Sequence, residues 1–466
     1  MKQRWLVLLV LCFSQTVAAE EAVSDPAAPA PPPVKAEDGA QPAEALPDET
    51  TPAPLVPGEV VAGPTGAAPL PPAAAGSLEK PSPAEPVQAE WTLTGAPGKG
   101  FTVSAGDAFS LNLKTRVLVR YQLNVPPEDE AGERKLSQAV SIGSLRLSLS
   151  GHVYDPTLTY VVQLALAARE YRDGSASPVY DAYLDWAVHR DFGVRVGQYF
   201  VPFDRLRTVS ESALQLADRA RPVAELALDR DVGVTLYSNS FLGDSSPLAW
   251  RLGVFGGGGS NLVQGKEPGA LLVGRVELRP LGKIDDDSDG DLERRKKPGL
   301  AWGAGLARHW NSDRLRSTAG PTFTGGTSDY LHGALDLVFK WQGLGLQAEH
   351  LWKVASRDRI TSTEELGEPR TEYTRSGRGW VLQASYVLGP PLEVVGRLSR
   401  MHAASGTDPS FVKEADTRAQ EVAAGVSYYF KGHRLKLQGD LISRMSRDFD
   451  WDVADHVAHL QLDATF

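Results

Sequence analysis

Hydrophobic and polar residues alternate along most of the chain from residue 109 to its end. The first such segment begins Phe109-Ser110-Leu111-Asn112-Leu113, with every second side chain apolar. A period of two residues is that of a β-strand with one apolar and one polar face. The pattern predicts sixteen strands, at 109–123, 140–153, 158–168, 179–188, 192–200, 232–238, 248–255, 270–280, 300–309, 330–341, 344–354, 379–388, 392–400, 421–430, 434–442 and 457–466.

The connections between these segments alternate between long and short. Long ones include 201–231 and 355–378, whereas 189–191 and 342–343 are tight turns. Transmembrane β-barrels show this asymmetry, with short periplasmic turns and long outer loops. Strands of roughly 9–11 residues also match the membrane thickness. We therefore predict an all-β, 16-stranded antiparallel transmembrane β-barrel over 99–466, with a soluble β-sandwich or β-helix as the alternative; 281–299 is predicted as a long periplasmic turn.

The first 98 residues do not follow this alternation. Lys2 and Arg4 precede an apolar run, and small residues end at Ala19, which predicts a secretory signal peptide at 1–19. Residues 20–98 contain 18 Pro and 18 Ala, a composition that predicts a disordered Pro/Ala-rich acidic linker. The expected location is the bacterial cell outer membrane, with this linker in the periplasm.

The net charge of −10 is unevenly distributed over the 466 residues. The predicted linker holds 12 acidic residues against two lysines, a net charge of −10, while the signal peptide adds +2 and leaves −2 for residues 99–466. The acidic balance argues against a nucleic-acid partner. The single cysteine, Cys12, lies in the signal peptide, which excludes a disulfide framework and a thiolate metal cage.

The alternation places one set of polar side chains inside the barrel. This set has thirteen cations, Lys114, Arg116, Arg120, Arg146, Arg195, Arg251, Arg275, Arg279, Lys340, Lys353, Arg397, Arg434 and Lys436, against eight carboxylates, Asp181, Asp185, Glu277, Asp336, Glu349, Glu393, Asp440 and Asp463. Arginine suits anions because its guanidinium fork matches phosphate oxygens. The candidate pore-lining, anion-binding residues are Lys114, Arg116, Arg120, Arg146, Arg195, Arg205, Arg207, Arg219, Arg221, Arg230, Arg251, Arg275 and Arg279.

Five of these candidates lie in the longest loop, 201–231, which also contains six carboxylates. If this loop folds inward, it forms a constriction of the pore. Its arginines then either face the pore or pair with neighbours such as Asp204, Asp218 and Asp229. The sequence leaves both arrangements open.

An ordered series of motifs in the strand region resembles a known family. The series is Tyr180-Asp181-Ala182-Tyr183-Leu184-Asp185, Arg195-Val196-Gly197-Gln198-Tyr199-Phe200-Val201-Pro202-Phe203 and Arg230-Asp231-Val232-Gly233-Val234, followed by 253–257, 274–280, 425–430 and 460–466. Over 109–466 it is similar to the phosphate-selective porin O and P family, although Gly143-Ser144 stand where that family tends to carry an Arg-Arg pair. The resemblance implies a homotrimer of sixteen-stranded porins with basic pores, and recognition of Phe466 by the outer-membrane assembly machinery.

The combined prediction is an outer-membrane porin in contact with outer-membrane lipid. It would form a water-filled diffusion channel for small solutes, leaning toward anions such as phosphate, with no enzymatic activity, metal or cofactor. Asp285-x-Asp287-x-Asp289-Gly290 imitates the start of a calcium loop, but Lys296 stands where a Glu ligand is needed, so a solvated turn is predicted. The alternatives are a lipase-like barrel enzyme, which needs a Ser/His pair at lipid level, and a plugged structural or adhesin barrel.

Overall fold

The computed structural model describes residues 90–129, 132–170, 177–243, 245–261, 267–284, 288–363, 368–389, 391–451 and 453–466. The predicted signal peptide, residues 20–89 of the predicted linker, and Asp285 and Asp287 of the calcium-loop motif lie outside these residues.

Strands dominate the described part of the chain. They are β1 (Trp91–Ala96), β2 (Gly100–Ala105), β3 (Phe109–Val125), β4 (Ser137–Val153), β5 (Asp155–Ala165), β6 (Val179–His189), β7 (Phe192–Phe200), β8 (Arg230–Ser238), β9 (Leu248–Phe255), β10 (Ala270–Leu278), β11 (Gly299–Ser312), β12 (Ser328–Trp341), β13 (Leu344–Ala355), β14 (Arg359–Thr363), β15 (Pro369–Tyr373), β16 (Gly377–Gly389), β17 (Leu392–Ala403), β18 (Gln420–Tyr429), β19 (Leu435–Met445) and β20 (Asp455–Thr465). The α-helices are α1 (Arg205–Thr208), α2 (Arg221–Leu226) and α3 (Pro409–Thr417), and short 3₁₀ helices span Ala168–Glu170 and Glu211–Ala213.

Sixteen of these strands form a closed antiparallel barrel, as the alternation predicts. They are β3 to β13 and β16 to β20, each paired with its neighbours, and β20 pairs with β3 to close the ring. At the closure, Thr115 and Phe466 exchange two backbone hydrogen bonds, of 2.7 and 2.9 Å. Closure leaves none of the sixteen strands with an open edge, which is what a strand structure needs in order to cross a bilayer.

The two faces of the barrel wall follow the predicted alternation. On β12, Leu335 points outward and is 52% exposed, whereas the adjacent Asp336 points inward and is 9% exposed. Exposed aromatic side chains occur near the ends of strands that meet at tight turns, among them Trp341, Tyr428 and Phe430. This distribution is typical of aromatic girdles at the membrane interfaces. None of the helices in the described residues is long and apolar enough to cross a membrane.

The ordered part of the chain begins earlier than predicted. The sequence prediction places residues 91–98 in the disordered linker. In the structure, β1 pairs with β2, and β2 pairs with the first five residues of β3. The local reason is a change of pattern after Glu90, where Trp91-Thr92-Leu93-Thr94 alternates apolar and polar residues. Strand-forming residues thus replace the Pro/Ala composition before the barrel starts.

The stretch 281–299 is a long connection between β10 and β11 whose residues 288–291 are buried rather than solvated. Asp289 and Asp291 are buried, and the Nε2 amide of Gln347 on the barrel wall donates to the carbonyl oxygen of Asp289 at 2.9 Å. The side chain of Asp291 accepts from the backbone N–H of Gly343, at 2.7 Å, and from that of Arg295. Buried carboxylates need such partners, so this part of the turn folds against the inner wall.

Candidate pore constriction

The connection between β7 and β8, residues 201–229, lies inside the barrel. Its apolar side chains, including Val201, Phe203, Leu226 and Leu228, are fully buried and form a cluster with inward-facing side chains of the wall. Small wall residues make room for it: a Cβ on Gly305 would come within 2.1 Å of the Phe203 carbonyl oxygen. We call residues 201–229 the constriction loop.

Charged side chains of the wall hold the backbone of the constriction loop. The carboxylate of Glu349 accepts from the backbone N–H of Leu206 at 3.0 Å, and that of Asp440 accepts from Ala217 N–H at 2.5 Å. The Lys436 ammonium donates to the carbonyl oxygen of Leu214 at 2.6 Å. Two further inward-facing lysines, Lys340 and Lys353, are also fully buried beneath loop and turn segments. Glu349, Asp440 and Lys436 therefore anchor the constriction loop.

Two carboxylates of the constriction loop neutralise a strip of wall arginines on β3 and β4. Glu211 accepts from Arg116 Nη1 at 3.1 Å and from Arg146 Nη2 at 2.7 Å. Asp218 accepts from Arg120 Nη1 at 2.8 Å. These arginines point inward and bind the loop; Arg116 also pairs with Asp463 at 2.7 Å and Arg146 with Glu170 at 2.6 Å.

The remaining predicted wall cations differ in their partners. Arg195 pairs with Asp185, Arg275 with Asp336 and Arg279 with Glu277, each at 2.5 Å. Arg251 donates to the side-chain oxygen of Asn239 at 3.2 Å. Lys114 is half-buried on the inner face and has no hydrogen-bond or ion-pair partner among the described residues.

The five arginines predicted for the loop region fall into two classes. Three bind carboxylates, namely Arg207 with Asp229, Arg221 with Glu414 and Arg230 with Asp181. The other two bind neutral oxygens: Arg205 donates to the Ser288 carbonyl at 3.1 Å, and Arg219 to the carbonyls of Leu206, Arg207 and Val209. Among the acids predicted as possible partners, Asp229 pairs with Arg207. Asp204 instead accepts a hydrogen bond from the backbone N–H of Arg207 and so caps α1.

Aromatic rings support several of these arginines, a feature that the alternation does not reveal. The Arg230 guanidinium lies between Tyr180 and Phe200, with its carbon 3.6 and 3.5 Å from the two ring centroids. The Arg146 guanidinium carbon is 4.0 Å from the centroid of the same Tyr180 ring. Each such cation–π contact is worth about 0.5–2 kcal/mol, so the rings help to fix the guanidinium planes.

A cavity of about 350 Å³ remains between the constriction loop and the wall of β6 to β10. It is lined by four arginines and three carboxylates, with tyrosine, phenylalanine, proline and threonine side chains: Asp181, Tyr183, Arg195, Tyr199, Phe200, Pro202, Asp204, Arg205, Thr208, Arg251, Arg275 and Glu277. Arg205 is only 4% exposed, and its buried Nε donor has no partner among the described residues. A guanidinium that pairs with no carboxylate among the described residues keeps its positive charge and favours an anion in the cavity that it lines.

A second cavity, of about 650 Å³, lies at the end of the barrel that carries the tight turns. Its charged lining contains five cations, Lys283, Arg295, Lys340, Lys431 and Arg434, and two carboxylates, Asp291 and Glu293. Both cavities are thus bordered by more cations than carboxylates.

The sequence profile of the family described as phosphate-selective porin O and P matches residues 114–466. The chain belongs to this family. It is therefore a porin of the outer membrane, and the match covers the whole closed barrel except the start of β3. Family membership indicates a channel rather than an enzyme.

Several solved porin structures are similar to the chain. The outer membrane channel DcaP of Acinetobacter baumannii has 13% identity and a TM-score of 0.48, over 79% of this chain and 100% of that one. The anion-selective porin from Comamonas acidovorans has 14% identity and a TM-score of 0.48, over 77% and 100%. OmpF of Salmonella typhi, in complex with daunomycin, has 14% identity and a TM-score of 0.48, over 78% and 98%. No curated protein is significantly similar in sequence.

Three serine–histidine pairs occur among the described residues of the porin: Ser110–His152 at 2.8 Å, Ser317–His309 at 2.7 Å and Ser443–His456 at 2.8 Å. Ser317 and Ser443 are buried residues. The Nε2 atoms of His152 and His309 have no hydrogen-bond partner among the described residues. A hydrolase needs an accessible serine and an oriented histidine, and none of the three pairs combines both.

The ion pairs that Glu211 and Asp218 form with the wall should be lost only in acid. Burial opposes ionisation of Glu211 and Asp218, but nearby arginines more than offset it and lower the pKa of each carboxyl to about 2. A lowered pKa means that docking gains from ionisation above the ordinary carboxyl pKa of about 4 and loses this gain as the pH falls toward 2. We expect single-channel conductance not to rise as the pH falls from 8 to 5 and to rise below pH 4. A rise that begins at pH 6 would contradict this assignment.

Proposed function

We propose that this porin is an anion-preferring diffusion channel that passes small anions such as phosphate across the outer membrane. The observation that carries the proposal is Arg205, which lines the 350 Å³ cavity and whose guanidinium binds a carbonyl oxygen and no carboxylate among the described residues. Anion preference is the property that such a group would confer.

The type of partner decides how much positive potential an arginine contributes. An arginine bound to a carboxylate forms a nearly neutral pair, as Arg275 and Asp336 do at 2.5 Å. An arginine bound to carbonyl oxygens keeps its net charge, which applies to Arg205 and Arg219. A fixed positive charge in a narrow aqueous pore lowers the cost of anion entry and raises that of cation entry. The two carbonyl-bound arginines therefore favour anions at the constriction.

The substitution Arg205→Gln tests this proposal. It should lower the anion-to-cation permeability ratio severalfold, because glutamine keeps a donor but removes the charge. The measurement is the reversal potential of purified porin in planar bilayers under a salt gradient. Block of the chloride current by added phosphate should weaken by a similar factor.

The matched control is Arg308→Gln, which removes a guanidinium from the outward face of β11, where it pairs with Asp329. Its permeability ratio should equal that of the unmodified porin. Cation-selective current in the unmodified porin would overturn the anion preference while leaving the channel intact. Negligible conductance would favour a plugged barrel instead.

We also propose the partners implied by the family resemblance. These are a homotrimer, recognition of the terminal Phe466 by the outer-membrane assembly machinery, and a periplasmic position for the Pro/Ala-rich linker. The exposed side chain of Phe466 at the barrel closure supports the second of these.

A further inference from the structure

The hairpin of β1 and β2 lies outside the closed ring of sixteen strands. Strand β20 pairs with β3 only from Arg116 onward, so the first residues of β3 would lack a partner on that side. Strand β2 takes this place, with Phe101 opposite Leu113 and Ala105 opposite Phe109. The hairpin therefore extends the barrel wall along β3, past the end of β20 and toward the start of β3.

The hairpin repeats the two-faced pattern of the wall. Paired residues of an antiparallel sheet share a face, so Trp91, Leu93 and Phe101 lie on the same face as the outward-facing residues of β3. Thr92 and Thr94 lie on the opposite face, where the Thr92 hydroxyl is 2.7 Å from that of Ser104. The outward face is thus apolar and the other face polar.

The outward face of the hairpin is more exposed than the lipid-facing wall. Trp91 is 64% exposed, Leu93 73% and Phe101 63%. Three large apolar side chains exposed in one patch are costly in water and mark a surface that is covered by another apolar phase or molecule. The patch continues directly into the outer face of β3, which the membrane covers.

The pairing of β1 limits how deep the patch can lie. Among the described residues β1 pairs only with β2, so its other edge presents unpaired backbone groups. An open sheet edge does not occur in the hydrocarbon region, where water cannot satisfy these groups, but the headgroup region is wet. Tryptophan is enriched at this interface, because its ring is apolar and its N–H is polar.

We propose that the β1–β2 hairpin is a lipid-binding element, whose Trp91, Leu93 and Phe101 insert into the headgroup region of the outer-membrane leaflet next to the tight turns. Phe101 lies deepest in the membrane because it is paired with Leu113, which is close to the barrel closure. Leu93 and Trp91 pair with β2 at positions that lie level with residues nearer the start of β3. They therefore lie progressively nearer the water. The proposal is independent of the anion preference.

Site-directed spin labelling tests the proposal on the full-length porin in vesicles of phosphatidylethanolamine and phosphatidylglycerol. Cys12 is the only cysteine of the chain and belongs to the predicted signal peptide, so each new cysteine gives a single label. The probes are Leu93→Cys and Phe101→Cys on the apolar face, with Thr92→Cys as the matched neighbour on the polar face. Leu335→Cys provides the lipid reference and Lys413→Cys on the exposed surface of α3 the water reference.

The readout is the ratio of collision rates with oxygen, which enters lipid, and with a nickel chelate, which stays in water. We expect the ratio at positions 93 and 101 to be severalfold higher than at 92, with 101 closer to the value at 335. Equal ratios at 92, 93 and 413 would place the hairpin in water and overturn the proposal. Spin–spin broadening at 93 that disappears on dilution with unlabelled porin would also overturn it, since a second copy would then cover the patch.

Discussion

The double substitution Glu211→Gln and Asp218→Asn will release the constriction loop and raise the single-channel conductance severalfold. These two carboxylates bind Arg116, Arg146 and Arg120, so their neutralisation removes three ion pairs between the loop and the wall. Arg116 keeps Asp463 and Arg146 keeps Glu170 as partners, and both loop carboxylates are partly exposed. The cost should therefore be smaller than that of leaving a buried charge unpaired, which is about 3–5 kcal/mol. The loop then leaves the wall of β3 and β4, and the open cross-section increases.

Conductance in planar bilayers at fixed salt measures this effect, and anion preference should rise with it because the uncovered arginines face the pore. The matched control is Asp416→Asn, which removes an exposed carboxylate of α3 that pairs with Arg447 and leaves the ion pairs of the constriction loop intact. Unchanged conductance in the double variant would show that other contacts hold the loop. The acid-induced rise in conductance should also be absent from this variant.

The substitution Asp336→Ala will produce the largest loss of stability. Asp336 accepts two hydrogen bonds from Arg275, of 2.5 and 2.9 Å, at a site where both side chains are almost fully buried. Removal of the carboxylate leaves the buried guanidinium with Glu277, at 3.4 Å, as its remaining ion-pair partner among the described residues. The free energy of unfolding should therefore fall by about 3 kcal/mol, the lower end of the cost of breaking a buried pair. Urea titration of the lipid-reconstituted porin, followed by tryptophan fluorescence, provides the measurement.

The comparison variant is Asp416→Ala, which breaks the exposed pair of Asp416 and Arg447 on the outer surface. An exposed pair contributes about 0–1 kcal/mol, so this variant should unfold at nearly the same urea concentration as the unmodified porin. Equal losses in the two variants would mean that water reaches Arg275 and that the wall beside the constriction is not closed.

The chain pattern alone predicts the barrel and the direction of each wall side chain. A strand alternates its faces with a period of two, so the positions of Arg116, Arg146 and Arg275 on the inner face follow from neighbouring residues only. Strand length and the alternation of long and short connections are local properties in the same sense. The prediction of the linker erred where a short strand, β1, follows the Pro/Ala-rich segment after Glu90.

Only the tertiary structure decided which of the inward cations remain available to a solute. Arg116 pairs with Asp463, which is 347 positions away, and with Glu211 of the constriction loop, 95 positions away. No local pattern encodes such pairs, because they depend on barrel closure and on the space that small wall residues such as Gly305 leave for the loop. The sequence by itself determined a porin with an arginine-rich lumen. The fold determined that Arg116, Arg120 and Arg146 hold the constriction in place and that Arg205 pairs with no carboxylate among the described residues, because charge pairing is set by distance in space rather than along the chain.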